Sequence, residues 1–210
     1  AIFDMRKGSP PMGAIETAMI DASYAQVGKS LNIPTHCYLG ATESKIVDAQ
    51  AGMESGMSAL VGALAGINMI SGAGMLDFLA CHSPEKLTID AEAIGMAKRM
   101  LEGVQARTET LATVMFEGIN FKGDFLKQRI TRELFSKEQY LPSDVIDRDS
   151  IRGWQASGRM DTFARAKIRT NKLLDEYQRP QMDPAKEKAL VNMMESPAKE
   201  AGMNTLPALE

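Results

Sequence analysis

Two cysteines and two histidines in 210 residues leave little material for cross-links or metal cages. A disulfide scaffold is excluded, and so few thiols fit a reducing compartment. Positive charge is not in excess either: 24 Lys+Arg stand against 27 Asp+Glu, for a net charge of -3. Nucleic-acid binders usually carry a basic surplus, so that function class is set aside. No basic segment followed by an apolar one opens the sequence, and a cytoplasmic protein is expected. Long uncharged runs are nearly absent. The exception, 57–76, has the length of a bilayer span. It contains four glycines, two serines and Asn68, and divides into a helix end, an Ile-Asn-Met-Ile strand and a glycine-rich turn. A buried soluble segment is therefore expected. No Gly-x-Ser-x-Gly turn, Walker-type loop or GxGxxG occurs.

What is present is a strand-then-helix rhythm. Strands are expected at 2–5, 35–39, 67–70 and 87–89. Helices are expected at 13–31, 48–65 and 91–105. Short strands, apolar on both faces and separated by helices, indicate βαβ units and a parallel sheet. In the second helix Met53, Met57, Leu60 and Leu64 fall on one face, beside a stripe of Gly52, Gly56, Ala59 and Ala63. The methionines are expected as core filler. After residue 106 the rhythm stops. Helices are expected at 109–117, 124–135, 149–157, 159–177 and 184–195, with Trp154 as a packing anchor and fraying from Ser196. A closed (β/α)8 barrel takes about 250 residues, and the βα part here is only about 105. The fold expectation is α/β: the C-terminal half of a TIM barrel over 1–106, then a helical extension over 107–210. The chain begins without Met inside an expected strand, which reads as a piece of a longer protein.

In α/β folds the working residues lie in the loops that follow the strands. Three loops are in view: 4–13, 38–50 and 71–85. Asp4 and Arg6 are two apart on an extended chain and face one side, as a carboxylate clamp with its orienting partner or as a structural ion pair. Glu43, Asp48 and Gln50 follow the second strand. They either line a polar pocket or, for the acids, support a helix N-terminus. Tyr38 either joins that pocket or packs under the sheet. Gly72, Gly74 and Met75 lie in a Ser-Gly-Ala-Gly-Met stretch that suits an anion cradle or tight strand-to-helix packing. His36-Cys37 and Cys81-His82 supply a zinc set in number but not in spacing, since neighbours on a strand point to opposite faces. No metal site is assigned. An aldolase-like lysine is poorly supported: Lys7 and Lys45 are loop residues without evident apolar burial.

The loops IFDMRKGSPPMGAIE, ATESKIVDAQAGMESGMSALVGALAGINMISGAGMLDF and SPEKLTID resemble, in order, those of the trimethylamine methyltransferase superfamily. FKGDFLKQRITRELF and RDSIRGWQASGRMD resemble its C-terminal helices. The resemblance implies a TIM-barrel subunit that moves a methyl group from a methylated amine to Co(I) of a corrinoid held by a separate protein. It implies a corrinoid as cofactor, a corrinoid protein and a small methylated amine as partners, and a homo-oligomer. Founding members activate trimethylamine with pyrrolysine. None is written here, which implies a quaternary amine such as a betaine. On this resemblance Phe3, Tyr38 and Phe78 are candidate aromatic walls for the cation. Arg6 or His82 would receive a substrate carboxylate. Glu43, Asp48 and Gln50 are the candidate catalytic residues, orienting the substrate together with the substrate-binding Asp4, and Gly72, Gly74 and Met75 would meet the corrinoid. The alternative is a barrel fragment or partner-binding module without catalysis of its own.

Overall fold

The computed structural model describes residues 1–106, 113–116, 119 and 123–207. Ala1–Leu173 and Leu174–Glu210 form two compact units. The first unit is a helix-rich α/β arrangement. Helix α1 (Ile15–Ser30) buries Thr17, Ala18 and Ala25. Strand β1 (His36–Cys37) follows and pairs in parallel with β2 (Met69–Ile70), with helix α2 (Ala49–Leu64) between them in sequence. That is one βαβ unit. Its core is small-residued: Ala18, Ala25, Cys37, Leu39, Ala65 and Ile67. Strands β3 (Met75–Leu76) and β4 (Cys81–His82) then pair antiparallel as a separate hairpin. Helix α3 (Pro84–Glu102) packs on α2. The uncharged run 57–76 is thus split between α2, β2 and the turn before β3, and no helix among the described residues is long and apolar enough to cross a membrane.

Two expected strands do not form. Over 2–5 the only pairing is an isolated bridge between Asp4 and Ser9. Gly8, at φ 68, folds the chain back on itself, and the Gly8 N–H donates to the Asp4 carbonyl at 2.7 Å. Over 87–89 the chain is the second turn of α3, not a strand. Ser83 caps that helix by accepting the Lys86 N–H at 3.1 Å, and Pro84 takes its first turn. This start signal outweighs the β-branched Thr88 and Ile89.

The methionine face also differs from expectation. Met53, Met57 and Leu64 are 65%, 56% and 61% exposed. The inward face of α2 is Ala51, Ser55, Ser58, Ala59 and Gly62. Close packing selects it: a Cβ on Gly62 would lie 2.8 Å from Ile70 Cδ1 and 3.1 Å from Leu39 Cδ1. Met96 and Met100 on α3 are exposed as well.

The remaining helices in or reaching past the first unit are α4 (Arg129–Glu138), α5 (Ile151–Ala156) and α6 (Thr162–Asp175). The helix expected at 124–135 is divided, with a 3-10 turn at Phe125–Lys127 before α4. Asp124 caps the turn and Gln128, in extended conformation, separates the two. Most of the helix expected at 109–117 lies outside the described residues; Thr113–Phe116 form a 3-10 turn. Trp154 donates its Nε1–H to the Met160 carbonyl at 3.0 Å, tying α5 to the loop that follows it. In the second unit α7 (Pro184–Glu200) continues through Ser196 and Pro197 instead of fraying. The carbonyls of Pro197 and Lys199 accept the N–H groups of Ala201 and Gly202 at its end.

Candidate functional site

The loop before α1, the loop after β1, the first turns of α2 and the tip of the β3–β4 hairpin surround one open cavity of about 710 Å³. Phe3, Asp4, Arg6, Glu43, Gln50 and Phe78 all line it, together with Lys45 and Glu54. The residues come from four separate stretches of chain, and each is held by identifiable bonds.

Asp4 accepts from the Arg6 Nη2 at 3.0 Å, the Arg6 Nε at 3.2 Å and the Arg6 amide at 2.8 Å. These bonds hold the Asp4 carboxyl below the usual range and the Arg6 guanidinium above it. The two residues therefore form a pair at the cavity edge. Glu43 turns inward to accept the amides of Met12, at 2.5 Å, and Gly13, at 2.7 and 2.9 Å. It thereby ties the loop after β1 to the entrance of α1. Glu54 accepts the Thr42 hydroxyl at 2.5 Å, the Glu43 amide at 2.9 Å and the Gln50 side-chain amide at 2.9 Å. A Cβ on Gly13 would stand 2.9 Å from Glu43 Oε2 and 3.0 Å from Glu54 Oε2, so both carboxylates converge on that glycine.

Asp48 is not in the cavity lining. It caps α2, accepting from the Ala51 amide at 3.1 Å and the Ser44 hydroxyl at 3.0 Å, and the Ala51 bond lowers its pKa. Tyr38 and His82 also lie outside the lining. Tyr38 is exposed and meets His36 edge-on, with centroids 5.0 Å apart. His82 is exposed on β4, where its ring stands over Gly74.

The glycine-rich turn is packed against its neighbours. Gly72 donates its N–H to the Leu39 carbonyl at 3.2 Å, and a Cβ there would stand 2.0 Å from the Tyr38 carbonyl oxygen. Gly74, at φ 81, donates to Asp90 Oδ2 at 2.7 Å. Met75 donates to the Gly72 carbonyl at 3.2 Å. Behind this turn lies a buried network that sequence reasoning missed. Lys86, 1% exposed, donates from Nζ to Asp90 at 2.5 Å, to Ser55 Oγ at 2.8 Å and to the Gly40 carbonyl at 3.2 Å. Burial pushes the Asp90 carboxyl up, opposed by the Gly74 amide and by Lys86. The network joins α2, α3, the loop after β1 and the glycine-rich turn.

His36 and Cys37 point to opposite sides of β1, one exposed and one buried. Among the described residues no group of three or more His, Cys, Asp or Glu could hold a metal ion.

A family model described as trimethylamine methyltransferase matches residues 1–202. The chain belongs to the trimethylamine methyltransferase family. Trimethylamine methyltransferase MttB2 of Methanosarcina mazei is 36% identical over 183 residues, covering 86% of this chain and 36% of the relative. Trimethylamine methyltransferase MttB of Methanosarcina thermophila is 34% identical over 184 residues, covering 87% and 37%. A glycine betaine methyltransferase of Desulfitobacterium hafniense is 32% identical over 203 residues, covering 96% and 42%. The chain thus spans roughly two fifths of these relatives' length. The sequence reading does not single out Glu54 or Asp77, and it weighs Lys45 only as an aldolase-like lysine. The signal for Glu54 was available: it lies one helical turn from Gln50, on the same face.

Proposed function

We propose that this chain is the C-terminal half of a TIM-barrel methyltransferase, in which the cavity holds a quaternary amine while one methyl group passes to a corrinoid. The supporting observation is the convergence of Phe3, Phe78, the Asp4–Arg6 pair, Glu43 and Gln50 on one cavity, in a member of this family. A quaternary ammonium loses its methyl as a neutral amine, so no proton has to be delivered to the leaving group. The site has to desolvate the cation and aim one methyl group. Positive charge leaves the nitrogen as the reaction proceeds. A carboxylate in direct contact would therefore stabilise the ground state more than the transition state. The acids here suit that requirement, because each is already engaged: Asp4 by Arg6, Glu43 by two amides, Glu54 by three donors. They set the positions of the loops, and the Phe3 and Phe78 rings are the groups proposed to meet the cation. Arg6 is the group best placed to meet a substrate carboxylate, and Gln50 lines the same cavity.

A corrinoid, when bound, supplies a nucleophilic cobalt that accepts the methyl group. We assign it to a separate partner protein. The amides of Gly72, Gly74 and Met75 are all engaged within the chain, so they do not form an anion cradle. Gly72 and Gly74 are buried, so of the three it is the half-buried Met75 that we assign to the surface against which a partner's corrinoid rests. A cytoplasmic homo-oligomer completes the reading.

The test mixes the full-length protein with a reduced corrinoid protein and a panel of betaines and methylamines. A change in corrinoid absorbance is expected with at least one quaternary amine. No change with any panel member overturns the reading. One observation favours a second reading, a partner-binding module without catalysis: the large exposed apolar side chains of α2. Stable binding of the corrinoid protein with no methyl transfer would support that module instead.

A further inference from the structure

The tip of the β3–β4 hairpin has an unusual backbone. Asp77, Phe78 and Leu79 have φ of 48, 56 and 70, three consecutive residues in the left-handed region that glycine normally fills. The turn is closed by the Ala80 N–H on the Asp77 carbonyl at 2.9 Å and held to the loop after β1 by the Asp77 N–H on the Ser44 carbonyl at 3.1 Å. A run of bulky residues stays in this region only where the surroundings enforce it, and such turns gather at ligand sites. Here the turn places the Phe78 ring in the cavity lining and the Asp77 carboxylate beside Lys45. The Phe78 face is not free. Lys45 Nζ stands 4.4 Å from the ring centroid, 3.2 Å from Asp77 Oδ1 and 2.7 Å from the Glu43 carbonyl oxygen.

We propose that Lys45 is a specificity-determining residue: a tethered ammonium that occupies the Phe78 face and yields it only to a quaternary ammonium ligand. The proposal rests on reading the cavity as an amine site. Two physical differences select the ligand. Lys45 gains one hydrogen bond, to the Glu43 carbonyl, and an ion pair with Asp77, in addition to the ring. A primary amine ligand would compete for the same three contacts against a group of high effective concentration, and would lose. A quaternary ammonium makes no hydrogen bonds and is weakly hydrated, so the ring face is worth more to it than to a lysine. Displacement is easy, because the Lys45 side chain is 61% exposed and can return to water while remaining near Asp77 and Glu43.

The experiment is calorimetric binding of tetramethylammonium and methylammonium to the full-length protein, its Lys45→Met and Phe78→Leu variants, and Phe78→Tyr. Lys45→Met is expected to tighten tetramethylammonium by about tenfold and to let methylammonium bind, which the parent excludes. Phe78→Leu is expected to lose tetramethylammonium, whereas Phe78→Tyr, which keeps the ring, retains it. Circular dichroism confirms that each variant is folded. The proposal is overturned if Lys45→Met leaves both affinities within twofold of the parent, if Phe78→Leu binds as well as Phe78→Tyr, or if no variant binds either cation. A failure of methyl transfer, with these affinities as expected, would count against the enzymatic reading alone. Methyl transfer indifferent to Lys45 would count against this inference alone.

Discussion

A Cβ added at Gly72 would stand 2.0 Å from the Tyr38 carbonyl oxygen and 2.7 Å from that of Leu39. Gly72 is not at a positive φ, so the constraint is close approach of two backbone segments and not conformation. Gly72→Ala forces those segments apart and is expected to destabilise by roughly 1–3 kcal/mol, as overpacked cores do. Urea unfolding measures it, and an unchanged midpoint would show that the two loops separate freely. The glycine was legible in the sequence, but its role was not: a Gly-Ala-Gly stretch reads alike whether it faces a ligand or a neighbouring strand. The acids were legible in the same partial sense. Glu43 and Asp48 each stood out by position. Only the fold separates the one that ties loops at the cavity from the one that caps a helix. Lys86 was hidden for another reason. A lysine expected just before a strand reads as a solvated charge. Once the segment is helical, Lys86 and Asp90 fall one turn apart and face inward together.

Helix α3 shows how a start signal decides an element. The segment Ser83-Pro84-Glu85 carries a cap, a proline suited to the first turn and an acid that complements the helix dipole. Leu87–Ile89 has local β-propensity, and the three residues before it override that propensity. The cap itself predicts a result. Ser83→Ala removes the acceptor for the Lys86 amide and is expected to cost about 1 kcal/mol, with Ser83→Asp restoring most of it. Denaturant midpoints of the two variants check this; equal losses would mean that the cap contributes nothing. Elements with clear signals at both ends were legible. The expected 48–65 and observed Ala49–Leu64 differ by one residue at each end, and Asp48 marks the start. Strands were legible in place but not in length: β1 and β2 retain two residues each of the five and four expected. A strand's extent depends on what pairs with it, which local sequence does not contain.

At the scale of the molecule, periodicity could not say which apolar face would be covered. The methionine stripe and the small-residue face of α2 repeat with the same spacing. Packing chose neither as expected: the buried face is Ala51, Ser55, Ser58, Ala59 and Gly62, which shares only Ala59 with the expected small-residue stripe and leaves Gly52, Met53, Met57 and Leu64 outward. The family, by contrast, was readable from loops alone, since long collinear motifs survive without any knowledge of packing. Charge also acts on the whole molecule, through carboxylates placed at its turns and helix starts. Asp4 is held low by Arg6, Asp48 by the Ala51 amide, and Glu85 by its backbone and Ser83. A carboxyl whose folded value lies below its unfolded one supports folding above the unfolded value. That support is lost as pH falls through the folded value. Asp21 and Asp90 are raised by burial, so their contribution has the opposite sign: it is present at low pH and lost as pH rises through their raised values. Three loops and helix starts loosen on acidification while half-buried Asp21 and buried Asp90 resist. The first group outnumbers the second. The urea midpoint is therefore expected to fall between about pH 5 and about pH 2, the range over which depressed carboxylates take up protons. Asp48→Asn, which keeps a cap but cannot titrate, should flatten part of that fall. A midpoint that rises on acidification would mean that the two raised acids, and Asp90 beneath the glycine-rich turn above all, dominate the proton linkage of the fold.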